Sequence, residues 1–166
     1  MEHVILVDNN DNPLGIMEKM EAHKNAVLHR AFSVFLFNSN GEMMLQLRAK
    51  GKYHSGGLWT NACCGHPRPN ENVKDAAQRR LHEEMGIKCG LDKVFHYIYK
   101  TPFSNGLTEH EFLHVFKGTA EKEPTLNPKE AEGWKWISIK DIYEDVKRHP
   151  ERYTAWFKIS LEKGRF

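Results

Sequence analysis

Between Gly65 and Ile87 the residues stand at intervals that leave the backbone few options. Gly65 is followed, after five residues, by Glu71, and after seven more by the unbroken run Arg79-Arg80-Leu81-His82-Glu83-Glu84-Met85-Gly86-Ile87. A glycine, a polar loop and a charged stretch closed by a second glycine read as a loop entering one helix, Asn72–Met85, with Asn70 as its cap and Gly86 as its stop. On that helix Arg80 and Glu84 are one turn apart and share a face. The face presents a cation to phosphate oxygens and a carboxylate to a divalent metal. A solvated helix with an internal ion pair has the same composition, so the spacing, not the charge, is what distinguishes this segment.

Strand signals surround the helix. His3–Asp8 is a short apolar run, and the turn cluster Asn9–Pro13 leads to a second one at Leu14–Met17. Ala31–Phe37 and Glu42–Leu47 flank the turn Asn38-Ser39-Asn40-Gly41, and the glycine-rich stretch Gly51–Gly57 leads into Leu58–Cys64. Val94–Lys100, Thr108–Lys117 and Trp134–Ile137 follow, then two helices, Ile139–Arg148 after Ser138 and Glu151–Lys163 after Pro150. This order predicts an α/β (α+β) fold, a mixed and largely antiparallel sheet with helices over it, as a single domain spanning residues 1–166. A length of 166 residues fits one domain, and 40% hydrophobic with 28% charged residues excludes a disordered or fibrous chain. A formal net charge of +2 gives no reason to expect nucleic acid or an anionic membrane as partner. No apolar run has the length of a membrane span, and the opening Met1-Glu2-His3 reads as the approach to a strand, not as a secretory leader. Three cysteines, two of them adjacent at Cys63-Cys64, make no disulfide framework and point to a reducing, cytoplasmic setting.

Ten histidines are the unusual total. In an extended strand Glu109 and Glu111 project to one side, and paired carboxylates are unfavourable unless a cation or a proton separates them. Joined by His23, His29 and His66 they would suit a five- or six-coordinate ion such as Mn²⁺ or Zn²⁺. Spacing alone leaves each histidine equally open to an ordinary surface or core role. If Thr60–His66 is extended, Cys64 shares a side with His66 while Cys63 points the other way, which admits only Cys64 to a common pocket.

Several segments together carry a resemblance: Glu18–His23, Leu28–Phe32, Leu58-Trp59-Thr60-Asn61-Ala62-Cys63-Cys64-Gly65-His66-Pro67, Arg79–Gly86 and Thr108-Glu109-His110-Glu111. In this order they resemble the type I isopentenyl-diphosphate delta-isomerases, a branch of the Nudix superfamily. The run from Gly65 to Ile87 is similar to the Nudix box, G-x5-E-x7-R-E-U-x-E-E-x-G-U, at every fixed position except Arg80, where the hydrolytic box has Glu. Arginine there is this branch's own departure.

The resemblance implies a Nudix-like mixed sheet sandwiched between helices. It implies an isomerase that interconverts isopentenyl and dimethylallyl diphosphate, a small-molecule enzyme acting as a monomer or homodimer. It assigns Cys64 and Glu111 as the catalytic pair with Tyr99 beside the carboxyl, and Mn²⁺ or Zn²⁺ to His23, His29, His66, Glu109 and Glu111. It further assigns Glu84 to a Mg²⁺ that accompanies the diphosphate, Lys19, Arg48, Lys52 and Arg80 to the diphosphate itself, and the Trp156 ring to the hydrocarbon. Cys63, beside the expected thiol, is a departure. The rival reading is a Nudix hydrolase cleaving a diphosphate bond; it requires a full carboxylate cluster on the helix, from which Arg80 removes one member.

Overall fold

The computed structural model describes residues 1–164 and 166. Strands β1 (His3–Val7) and β2 (Pro13–Glu18) form an edge hairpin, and the short helix α1 (Lys19–Lys24) turns the chain into β3 (His29–Phe37). Then follow β4 (Met43–Arg48), β5 (Trp59–Thr60), β6 (Cys63–Gly65), α2 (Val73–Met85), β7 (Leu91–Pro102), β8 (Thr108–Thr119), β9 (Ala131–Ile137), α3 (Ile139–Arg148) and α4 (Ala155–Lys163).

The sheet is organised about β3. One flank pairs in parallel with β8, from His29↔Glu111 to Phe37↔Thr119, and the other pairs antiparallel with β6, placing Ser33 opposite Cys64. A strand enclosed on both faces needs apolar side chains in both directions, which is why β3 reads as an almost unbroken apolar run. Its alternation divides two cores. Ala31, Phe35 and Phe37 join Leu113 and Val115 under Ile142 of α3 and Phe157 of α4. Phe32, Val34 and Leu36 join Phe116 under Ala76 and Leu81 of α2. The result is the expected sheet between helices, with one parallel pair at its centre.

Local chemistry explains where the elements depart from expectation. The cap of α2 is Asn72, whose side chain accepts from the Lys74 amide at 2.9 Å; Asn70 is a turn residue at φ 65°. Gly86 ends the helix at φ 67°, where an added Cβ would stand 2.9 Å from the Thr125 side chain. The run Leu58–Cys64 is broken at Asn61, whose buried amide donates to the carbonyls of Val34 and Cys63 at 3.0 and 2.8 Å. The helix expected from Glu151 is only a 3-10 turn over Pro150–Arg152, because the Thr154 amide is drawn to the Trp59 carbonyl at 3.0 Å and α4 begins after it. Helix α1, too short for any periodicity, was not expected; Glu18 caps it by accepting from the Glu21 amide at 2.8 Å.

Candidate active site

On the α3/α4 side of the sheet, Ser33 interrupts the apolar alternation of β3, and a cavity of about 460 Å³ opens there. Cys64 and Glu111 both line it, and they flank β3 on opposite sides, one on β6 and one on β8. The two adjacent thiols face opposite layers. Cys63 is fully buried in the α2 core, whereas Cys64 packs beside the α3/α4 core and reaches the cavity. The Cys64 Sγ donates to Asn61 Oδ1 at 3.2 Å and lies 3.3 Å from Ser33 Oγ. Burial pushes its pKa up to about 12, so it rests as a protonated thiol.

Across β3, the β7–β8 register sets Tyr99 opposite Glu111 and two pairs along from Glu109, on the same face. The phenol oxygen lies 2.6 Å from Glu109 and 2.8 Å from Glu111. A phenol has one hydrogen and donates to one carboxylate at a time. The other close contact therefore needs a proton on the second carboxyl. Burial and the neighbouring Glu109 charge push Glu111 well above the usual carboxylate range, which identifies it as the protonated member.

The imidazoles are oriented from behind. His23 Nδ1 donates to the Lys19 carbonyl at 2.7 Å and His29 Nδ1 to the Val27 carbonyl at 2.8 Å, so both Nε2 atoms carry lone pairs. They converge on His66: His29 Nε2 is 3.3 Å from His66 Nε2, and His66 Nε2 is 2.9 Å from Glu111 Oε1. The donor atoms of His23, His29, His66 and Glu111 all lie within 4.8 Å of one another. His23 Nε2 is buried with no hydrogen-bond partner. Burial, with the neighbouring imidazoles adding to it, holds His29 and His66 at about 3, as neutral rings. Neutral rings, clustered donor atoms and an orphaned nitrogen suit a divalent cation. Glu109 stands slightly apart, grouped with His23 and with His54, a residue the sequence pattern did not mark.

The rim is cationic but already paired. Arg80 donates to Glu84 at 2.6 Å and to Glu83 at 3.0 Å, and lies 3.2 Å from Glu130. Lys52 pairs with Glu130, and Lys19 with Glu2. Glu84, buried between Arg80 and the Gln46 amide at 3.0 Å, is raised by desolvation against both partners. Arg48 reaches the cavity, but its Nε and Nη2 donate to the carbonyls of Ser55 and His54 at 3.2 and 3.1 Å, and its guanidinium covers the Trp156 ring at 5.1 Å. Beyond the diphosphate role expected of it, Arg48 braces a loop. Trp156 is both core and cavity wall, while Tyr153 and Phe157, near it in sequence, are core alone. Glu2, His54 and Glu130 were not expected at the site, because none lies in a spaced motif.

Comparison with known proteins follows the same line. The NUDIX domain family matches over residues 27–157. The "Isopentenyl-diphosphate Delta-isomerase 2" of Aromatoleum aromaticum is 53% identical over 162 residues, covering 98% of this chain and 86% of that one. Isopentenyl-diphosphate Delta-isomerases of Pectobacterium atrosepticum and Burkholderia multivorans are 47% and 48% identical, each aligned over 98% of this chain and over 91% and 93% of their own. Among solved structures, a Deinococcus radiodurans protein superposes with a TM-score of 0.80 at 18% identity, over 99% of this chain and 100% of that one. The MutT protein of Methanosarcina mazei does so at 0.67 and 20%, over 82% of this chain and 91% of that one. At such identities these two speak for the fold alone.

Proposed function

The chain belongs to the NUDIX domain family and, within it, to the type I isopentenyl-diphosphate delta-isomerases, and from that premise we propose how its residues 1–166, as one domain, carry out the isomerisation. The reaction moves a double bond by adding a proton at one carbon and removing one from another. Protonating an unactivated alkene creates a tertiary carbocation, which calls for an acid and a base on opposite faces of a flat C5 unit in a dry pocket. The observation that carries the reading is the pair Cys64 and Glu111, lining one cavity from either side of β3.

In either direction one of the two gives its proton to the alkene while the other, deprotonated, takes a proton from the substrate, and the roles reverse in the opposite direction. With a divalent cation on its carboxyl, Glu111 would give up its proton and stand as the carboxylate base to the Cys64 thiol. Tyr99 holds the Glu111 carboxyl in place, and Ser33 and Asn61 hold the thiol. The Trp156 face stabilises the cation, an effect on the order of 1–2 kcal/mol when water is excluded. Lys19, Arg48, Lys52 and Arg80 grip the diphosphate, and that remote binding positions the alkene. His23, His29, His66, Glu109 and Glu111 would hold a divalent cation, Mn²⁺ or Zn²⁺, which would supply positive charge beside the Glu111 carboxyl, and Glu84 would serve a Mg²⁺ accompanying the diphosphate, which would neutralise phosphate charge.

Incubation with isopentenyl diphosphate in D₂O tests the reading. Deuterium enters the methyl groups of the product without release of phosphate; phosphate or pyrophosphate release with no deuterium uptake would establish the hydrolase instead. Arg80, in place of a box carboxylate, supports the isomerase. Tyr99→Phe, which removes the phenol between the two carboxyls, lowers kcat by roughly 10–100-fold with the fold intact by circular dichroism. An unchanged kcat would take Tyr99 out of the mechanism. The three free cysteines, Cys63, Cys64 and Cys89, suit a cytoplasmic enzyme. No helix among the described residues is long and apolar enough to cross a membrane.

A further inference from the structure

His54 is 6% exposed and sits in the loop between β4 and β5 with its ring turned inward. Its Nε2 lies 3.0 Å from Glu109 Oε1, in a contact that lacks the geometry of a well-formed hydrogen bond. Polar atoms held side by side without a well-formed hydrogen bond between them are the arrangement of neighbouring ligands on one cation. Two ligands at right angles, each about 2.1 Å from an ion, are about 3 Å apart. His23 Nε2 is orphaned in the same way, and the donor atoms of His23, His54 and Glu109 all lie within 4.8 Å of one another.

A second ion is not what this geometry offers. His23 belongs to both donor groups, but its Nδ1 is tied to the Lys19 carbonyl, so the ring has one lone pair to give. We propose that His54 is a sixth protein ligand of the same divalent cation, filling the position that water would otherwise take. This rests on the cation site put forward above.

The loop is built to deliver that ring. Arg48 grips the carbonyls of both His54 and Ser55, and Phe103 stacks on the imidazole at 4.4 Å with the planes 10° apart. Ser55 takes φ 52°, a left-handed conformation that in a non-glycine residue persists only where its surroundings hold it. Six protein donors close the ion to water. The cation then serves to orient Glu111, not to activate a water molecule.

The test uses metal-stripped full-length chain loaded with Co²⁺, as wild type, His54→Phe and His54→Gln. Phenylalanine keeps the stack on Phe103 and removes the donor; glutamine offers an amide oxygen. Visible absorption reports coordination number, because six-coordinate Co²⁺ absorbs weakly and five-coordinate Co²⁺ more strongly. Competition with a chelator reports affinity. Wild type is expected to show the weak six-coordinate bands. His54→Phe is expected to show intensified bands and at least tenfold weaker binding, with His54→Gln in between. A wild-type spectrum of five-coordinate type, or an unchanged spectrum in His54→Phe whatever its affinity, overturns the proposal while leaving the cation site standing. No Co²⁺ bound by wild type overturns both. If His54→Phe fails to fold, an unchanged spectrum in a fully Co²⁺-loaded His54→Ala would likewise overturn it.

Discussion

Cys64→Ala lowers kcat by roughly 10²–10⁴-fold, the range of a positioned proton donor, whereas Cys63→Ala leaves kcat as it is and lowers stability. The two residues are covalent neighbours of identical chemistry, so only their surroundings separate them. Cys64 reaches the cavity, hydrogen-bonded to Asn61 and close to Ser33. Cys63 is fully buried among α2 residues such as Ala76 and Leu81. Truncating a small buried side chain costs about 1 kcal/mol, which for a chain of this size lowers Tm by about 2–4 °C. Steady-state kinetics beside thermal melts of both variants make the comparison. Equal losses of kcat, or the larger loss at Cys63, would mean that the catalytic face has been taken from the wrong side of β6.

Arg80→Glu raises KM for isopentenyl diphosphate at least tenfold and steepens its dependence on Mg²⁺. In the structure Arg80 is the cation among Glu83, Glu84 and Glu130, and Glu84 is buried. The substitution withdraws that positive charge and adds a fourth carboxylate beside the three. Losing one charge-assisted contact to the diphosphate costs about 1.5–3 kcal/mol, and about 1.4 kcal/mol is a factor of ten. Like-charge repulsion adds to the loss. Divalent cation reverses part of it, because the enlarged carboxylate group binds Mg²⁺ more tightly than the wild-type face does. Kinetics across a Mg²⁺ series, with melts at each concentration, separate the two contributions. A KM that does not move would show that Arg80 serves only its intramolecular partners.

Sequence alone reached the parts of this molecule governed by local periodicity. Strand alternation was enough to put Glu109 and Glu111 on one face, to turn Cys63 and Cys64 to opposite faces, and to set Cys64 with His66. The 65–87 spacing was enough for the α2 helix, for Arg80 beside Glu84 and for the stop at Gly86, since i to i+4 neighbours and a left-handed glycine are properties of the chain itself. Tertiary structure decided what depends on the path of loops. Nothing local distinguishes His54 from His110 or His149; its ring enters the site because Arg48 and Phe103 hold its loop there. Glu2 and Glu130 reach Lys19 and Lys52 from distant segments, so these two lysines are paired in a way that no motif records. Asn61 breaks an apparently continuous strand for the same reason: its partner is the Val34 carbonyl on another strand. Period and capping act between residues a few positions apart and are written in order along the chain, whereas a loop's course follows from which distant groups satisfy its buried polar atoms, and that is settled only when the whole chain packs.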